Sequence, residues 1–264
     1  MYAEVNNVET LSPTLLRVHL TGGTLSEFET SGATDAYINA RFLPAESPLT
    51  VPFTSEDIDS VTAEHRPRPR RFTIRGWDPL TQTLTIDFVV HGDVGYAGAW
   101  AQRAKPGDRL QFSGPGGSYR PSPNVDWHLL AGDESALGAI GASLESLPAG
   151  KRAVAFVVVD SAAHEVDLPS SGDVDVVWLH RVGAEDPEAL LADAVSAASF
   201  PEGSFDVFVH GEAAEVRSVR RHLVVDRGVD VSTASISPYW RRTFTDEDWR
   251  RVKRQWMAEQ MADA

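Results

Sequence analysis

Residues 153–159 read Ala-Val-Ala-Phe-Val-Val-Val, an apolar, β-branched run without a polar break. A strand of this composition has no side suited to water, so both of its faces must be covered by protein. That requirement points to a sheet with helices on its faces, and the neighbouring segments supply them. Trp127 to Ala131 reads as a short apolar strand, and residues 132–135 form a turn in which Asp and Ser can cap. Leu137, Ile140, Leu144 and Leu147 then recur at helical spacing. Residues 174–179 read as a further strand of the doubly buried kind. Asp186-Pro187-Glu188 opens a helix, with proline in its first turn and acids at its positive end. Residues 205–210 are a strand, followed by a helix through Arg221. Alternating strands and helices imply a parallel α/β sheet. Ligands on such sheets bind beyond the carboxyl ends of the strands, which here are residues 131–135 and 210–213.

The first half of the chain has a different period. Leu16, Val18 and Leu20 alternate with Arg17 and His19, and Ile38, Ala40 and Phe42 alternate with Tyr37, Asn39 and Arg41. Alternation of this kind marks strands with one buried face. Residues 44–69, rich in Pro, Ser and acids, read as a long loop. With further strands to follow and a single short helix near 97–104, this half is expected to be a small antiparallel barrel. Residues 120–125, Arg-Pro-Ser-Pro-Asn-Val, have the composition of a linker. The expected divisions are therefore 1–122, 123–235 and a tail, 236–264.

Residues 66–100 hold the densest chemistry. A strand carries Arg70, Phe72 and Thr73, and a second strand runs from Thr83 to Val90 and ends at His91-Gly92. Gly95-Tyr96-Ala97-Gly98 leads into a helix containing Trp100. Guanidinium forks suit phosphate, and glycine-rich helix entrances expose backbone N–H groups. The combination suits an anionic cofactor with an aromatic part.

The same stretch resembles the flavin-binding core of the siderophore-interacting proteins, a branch of the ferredoxin-reductase-like flavoproteins. The matching residues are Arg70-Arg71-Phe72-Thr73-Ile74-Arg75, Asp87-Phe88-Val89-Val90-His91-Gly92 and Gly95-Tyr96-Ala97-Gly98-Ala99-Trp100-Ala101. The resemblance continues through Pro106-Gly107-Asp108, Gly114-Pro115-Gly116-Gly117, Gly132-Asp133-Glu134-Ser135-Ala136-Leu137, Gly211-Glu212 and Tyr239-Trp240-Arg241. It implies an FAD-binding β-barrel, a nicotinamide-type α/β domain and a C-terminal helix. By resemblance, Arg70 would pair with the FAD diphosphate, Phe72 would lie against the isoalloxazine, and Thr73 would sit near its redox nitrogen. His91 would lie near the phosphate or ribose, Ala97, Gly98 and Ala99 would present backbone N–H groups, and Asp87, Phe88, Val89, Gly95 and Tyr96 would complete the cofactor-binding set. The family favours Tyr at position 72, Pro at 96 and Ser at 98. Phe72 therefore keeps the stacking face without a phenol, Tyr96 offers a second ring, and Gly98 lacks a hydroxyl. Gly132, Asp133, Glu134, Ser135, Ala136, Gly211 and Glu212 would line the nicotinamide mouth, with Arg217 near an NADP phosphate. Trp240 would cover the flavin or the adenine.

Charge and composition bound the function further. With 38 acidic and 24 basic residues the net charge is −14, which excludes a general nucleic-acid role. The basic residues cluster, however: five arginines lie within 66–75, and Arg241, Arg242, Arg250, Arg251, Lys253 and Arg254 lie in the tail. The tail cluster is the expected attraction site for an anionic ferric siderophore. Thr245-Asp-Glu-Asp marks a helix start there, and Trp249, Val252 and Trp256 form its packing stripe. The chain has no cysteine, no H-x-x-x-H spacing, no G-x-S-x-G elbow, and neither the G-x-G-x-x-G nor the P-loop pattern. Iron would therefore arrive as substrate inside its chelate, with no protein ligand and no catalytic acid or base. Without an apolar run of membrane length, no membrane insertion and a cytoplasmic location are expected. The expected activity is FAD-dependent reduction of a ferric siderophore with electrons from NAD(P)H or reduced ferredoxin. A general NAD(P)H:flavin oxidoreductase serving a protein partner and a non-redox siderophore-binding module are the alternatives.

Overall fold

A computed structural model of the chain describes residues 1–90, 92 and 95–262, with the side chains of the last helix described as far as residue 259. The chain divides into two compact units, Met1–Arg120 and Pro121–Ala264.

The first unit is a closed barrel. Strands β1 (Tyr2–Ser12), β2 (Leu15–Thr21), β3 (Tyr37–Phe42), β4 (Arg68–Asp78), β5 (Thr83–Val89) and β6 (Arg109–Gly116) close in the order β1-β2-β5-β4-β3-β6. All of these pairs are antiparallel. Closure gives each of these six strands two neighbours. The expected alternation is present in β3, where Ile38, Ala40 and Phe42 are buried and Tyr37, Asn39 and Arg41 are partly exposed. In β5, Leu84, Ile86 and Phe88 point inward in the same way. The segment read as a long loop instead carries α1 (Ser55–Ser60). Thr54 starts that helix: its hydroxyl accepts from the Asp57 N–H, while Asp57 accepts from the Thr54 N–H. This capping box uses the shorter aspartate, which makes it less conspicuous in sequence than the Glu form. Helix α2 (Ala97–Arg103) follows β5 and buries Ala97, Ala99 and Ala101.

The second unit is built on a five-stranded parallel sheet. Strands β7 (Trp127–Asp133), β8 (Arg152–Val159), β9 (Asp173–His180), β10 (Phe205–Glu212) and β11 (Ser235–Trp240) lie in the order β11-β10-β7-β8-β9. Helix α3 (Leu137–Glu145) follows β7, α4 (Leu190–Ala197) precedes β10, and α5 (Ala213–Arg221) follows it. Leu129, Ala131, Val207 and Val209 form one core with Val195 of α4 and Val216 and Val219 of α5. Leu137, Ile140 and Leu144 of α3, and Leu147 just beyond it, are all buried, as their spacing predicts.

Three expectations are revised. β9 is the outer edge of the sheet, not a doubly buried strand: Asp173 and Asp175 are exposed between partly buried valines. Its alternating acids keep that edge solvated. Helix α4 begins at Leu190 rather than at Pro187, because the Asp186 carboxylate accepts from the Glu188 and Ala189 N–H groups and stabilises a turn ahead of the helix. Residues 236–240, placed in the tail, instead join Ser235 in β11 and pair in parallel with β10. The tail proper is α6 (Asp246–Ala262), with Trp249 buried against Trp256 and its indole N–H donated to the Tyr239 carbonyl at 3.1 Å. Among the described residues no helix is long and apolar enough to cross a membrane.

Candidate functional site

In the barrel unit, register places the key residues of β4. Arg70 lies opposite Ala40, Phe72 opposite Ile38 and Thr73 opposite Tyr37. Strand alternation puts Arg68, Arg70, Phe72 and Ile74 on one side and Arg71 and Thr73 on the other. Phe72 is half-buried, with its ring 4.4 Å from that of Phe88 and 5.9 Å from that of Phe42. Trp100 of α2 closes the cluster at 5.6 Å from both Phe42 and Phe88. Beyond Phe72 on the same side, the guanidinium carbons of Arg68 and Arg70 each lie 5.7 Å from the Tyr96 ring centre. Arg71 lies over Tyr37 instead, at 5.3 Å.

The other expected cofactor residues divide by role. Phe88 is fully buried beneath Phe72, so its side chain supports the ring and does not itself present a surface to a ligand. Asp87 holds Arg17 with two bonds, at 2.7 and 2.9 Å, and this pair braces β5 against β2. Val89 pairs with Leu15 at the end of β5. Gly95 has φ of +84°, with open space where a side chain would stand. Ala97, Gly98 and Ala99 form the first turn of α2, and a Cβ on Gly98 would meet only ordinary contacts, 3.6 Å to the Val89 carbonyl. His91 lies outside the described residues. The described set fits a flavin dinucleotide: a supported aromatic face, cations gathered on one ring beside it, and uncrowded glycines at the helix entrance.

In the α/β unit the chain runs from β7 outward to β8 and β9, then returns to β10 on the other side of β7. The strand order therefore reverses between β7 and β10, the position where such sheets take ligands. Gly132 and Gly211 face this reversal. A Cβ on Gly132 would overlap the His210 carbonyl oxygen, and one on Gly211 (φ +143°) would press on the Asp133 carboxylate. Glycine at both positions lets Asp133 fold inward. Its Oδ1 accepts from the Ser135 N–H at 2.8 Å and from the Ser135 hydroxyl at 2.5 Å. Its Oδ2 accepts from the Glu212 N–H and from the Trp240 indole N–H, both at 2.8 Å. Glu212 caps α5 in turn, its Oε2 accepting from the Ala214 and Glu215 N–H groups at 2.6 and 3.1 Å. Glu134 is held by Arg181 through two bonds of 2.5 and 2.9 Å. Ala136 is fully buried, and Arg217 lies on the exposed face of α5.

Two further titratable groups here escaped sequence reading. Glu215 is buried, with Oε1 bonded to Arg242 at 2.9 Å and Oε2 without a partner among the described residues. Burial pushes its carboxyl up to about 8, with Asp133 and Glu212 adding to the shift and Arg181 and Arg242 opposing it. His210 lies stacked on Phe208 at 4.0 Å and bonded to the Ser235 hydroxyl at 2.9 Å. Burial, with nearby Lys253 adding to it, lowers its pKa to about 3. For Asp133 burial raises the pKa, while the Ser135 hydroxyl and Trp240 bonds favour the ionised form. The Glu212-x-x-Glu215 spacing at a strand–helix junction was a visible signal for the capping pair; nothing local pointed to Arg181.

The tail cations do not form one open cluster. Arg242 is drawn into the carboxylate network, bonding Glu188 and Glu215 at 2.9 Å each and donating its backbone N–H to Glu212. Arg250 and Arg251 pair with Asp246 and Asp248 of their own helix at 2.9 and 3.2 Å. Lys253 donates to the Pro238 carbonyl at 2.6 Å. Arg241 lies over the Phe244 ring at 4.5 Å, and Arg254 is exposed. No group of three or more His, Asp or Glu side chains among the described residues is arranged to hold a metal ion.

Comparison with known proteins bears on both units. Residues 4–119 match a family model described as the siderophore-interacting FAD-binding domain, and residues 125–243 match one described as siderophore-interacting protein. A ferric vibriobactin reductase from Vibrio cholerae is 33% identical, over 95% of this chain and 92% of that protein. An NADPH-dependent ferric-chelate reductase from Escherichia coli is 30% identical, over 89% of this chain and 91% of that protein. The crystal structure of a siderophore-interacting protein from Aeromonas hydrophila superposes with a TM-score of 0.83 at 28% identity, covering 98% of each chain.

Proposed function

Because the chain belongs to the siderophore-interacting protein family, we propose that it is an FAD-dependent reductase that frees iron from ferric siderophores, with NADPH as electron donor. The observation that carries this reading is the barrel site, in which Phe72, Arg70 and Tyr96 stand together inside the segment matched to the FAD-binding domain. The donor assignment rests on the similarity to the NADPH-dependent ferric-chelate reductase.

When bound, FAD accepts an electron pair and passes on single electrons. The chain's part is binding and orientation. Arg70 pairs with the diphosphate as a charged fork. Phe72, backed by Phe42 and Phe88, offers a ring face that its neighbours prevent from rotating away. Thr73 stands next along β4 with its side chain on the opposite side of the strand and adds its backbone N–H, and Ala97, Gly98 and Ala99 add further backbone donors. Arg241 and Arg254 are the tail cations best able to meet an anionic chelate. Siderophore oxygens are hard donors that hold Fe(III) far better than Fe(II). One electron therefore loosens the metal without breaking a covalent bond, and no protein acid or base is needed. Oxidation of one NADPH reduces two ferric chelates and releases one proton.

A second reading concerns the donor alone. Asp133 and Glu212 already cap the turns at the carboxyl ends of β7 and β10. A nicotinamide diphosphate entering the reversal point would meet carboxylates where helix N–H groups usually receive it. That feature favours reduced ferredoxin.

The test is the visible spectrum of the purified protein under argon. The expected result is a yellow protein that bleaches with NADPH and regains its colour on adding ferric siderophore, while an Fe(II) chelator reports the released metal. Bleaching by reduced ferredoxin alone would move the donor, and a colourless protein that takes up no FAD would overturn the reading.

A further inference from the structure

Arg68 falls outside the residues matched to the flavin motif, yet it shares a ring with Arg70. Both guanidinium carbons lie 5.7 Å from the Tyr96 ring centre. The two arginines are separated by one residue on β4, so alternation sends their side chains to the same side as Phe72. Along that side β4 presents an aromatic ring, a cation and a second cation, each two residues or about 6.6 Å of strand from the next. FAD offers the matching sequence of groups: an aromatic isoalloxazine, then one phosphate and a second phosphate. Arg68 forms no ion pair among the described residues; its guanidinium makes a long bond, 3.4 Å, to the Glu64 carbonyl. Tyr96 is half-buried at the entrance to α2, so it can hold both guanidinium groups in place before a ligand arrives.

We propose that Arg68 is a second diphosphate ligand for FAD, that Tyr96 is the positioning residue which gathers Arg68 and Arg70 into a two-fork clamp, and that the clamp makes the protein select FAD over FMN. The proposal rests on the FAD reading above. One guanidinium faces each phosphate, and a cofactor with a single phosphate leaves Arg68 without a counter-charge. The aromatic part of Tyr96 is what gathers the cations, so its hydroxyl is dispensable.

The experiment is titration of apo-protein with FAD, FMN and riboflavin, read by flavin fluorescence. For the unaltered protein FAD binds more tightly than FMN, and free ADP competes with FAD. Arg68→Gln keeps a donor toward the Glu64 carbonyl but loses the charge. It is expected to weaken FAD binding about ten-fold, in keeping with loss of one charge-assisted contact, while leaving riboflavin binding unchanged. The weakening of FAD binding by added salt becomes shallower in this variant. Tyr96→Leu reproduces the loss, and Tyr96→Phe restores FAD affinity. Unchanged FAD affinity in Arg68→Gln, or an equal loss for riboflavin, would overturn the clamp while leaving the FAD reading intact. Failure of the unaltered protein to bind any flavin would instead remove the reading on which the clamp rests.

Discussion

Trp240 donates its indole N–H to the Asp133 carboxylate at 2.8 Å, joining residues 107 apart in the chain. The contact fastens the outer strand β11 to the carboxyl end of β7. Asp133 receives four donors in all, so an ionised carboxylate suits the site and an amide does not. Asp133→Asn places an NH2 group against donors and is expected to cost about 2–3 kcal/mol. Urea denaturation gives the loss. A shift in tryptophan emission reports the release of Trp240.

Glu215 and His210 give stability opposite dependences on pH. The folded Glu215 carboxyl titrates at about 8 against an ordinary 4.5, so as pH rises the unfolded chain loses this proton first. Stability from Glu215 is thus complete below about 4.5 and is lost as pH rises toward 8. Folded His210 titrates at about 3 against 6.5, so its contribution is complete above 6.5 and is lost as pH falls toward 3. Glu215→Gln, which keeps an oxygen for Arg242, is expected to flatten the decline between pH 5 and 8, by an amount of the order of a few kcal/mol. His210→Phe, which retains a ring on Phe208, is expected to flatten the acid side. Denaturation midpoints measured across this range would separate the two; parallel curves for variant and unaltered protein would refute the assignment.

The tail cations are expected to differ sharply in their effect on stability. Arg242→Ala removes the donor facing the buried Glu215, which keeps its proton up to about 8, and is expected to destabilise by about 1–2 kcal/mol at neutral pH and by more as pH rises past 8. Arg250→Ala and Arg251→Ala remove exposed pairs within one helix and are expected to cost about 0.5 kcal/mol or less each. Thermal unfolding of the three variants checks the order.

Gly98 is not required by packing, since its Cβ position meets nothing closer than 3.6 Å. Gly98→Ser is expected to fold normally, with a slightly higher melting temperature from the gain in helix propensity. The added hydroxyl at the entrance to α2 is expected to tighten FAD binding by a few-fold, at about 1 kcal/mol for one hydrogen bond. Flavin titration of this variant beside the unaltered protein measures it.

Much of the architecture was legible because it depends on local period. Ile38, Ala40 and Phe42 alternate in the sequence and in the barrel wall, and Leu137, Ile140, Leu144 and Leu147 repeat at helical spacing and are buried. The ordered motifs from Arg70 to Trp240 also identified the family before any coordinates. Where one short signal had to stand for a three-dimensional relationship, the reading was less secure. The valines of 174–179 resemble those of β8, but strand order makes β9 an edge. The tail arginines form one cluster in sequence, yet their acids come from three places: Asp246 and Asp248 in α6, Glu188 ahead of α4, and Glu215 in α5.

The sequence by itself determined the two kinds of sheet, most of the helices and the family, because hydrophobic period and motif order act over a few residues at a time. Only the tertiary structure decided which charges are available to a ligand. In the nicotinamide mouth read from sequence, folding turns Asp133 onto Trp240, pairs Glu134 with Arg181, and makes Glu212 a helix cap. Arg68, silent in the motif, is brought onto the same ring as Arg70. Charge acts through distance and burial, and both depend on which remote segments the fold brings together.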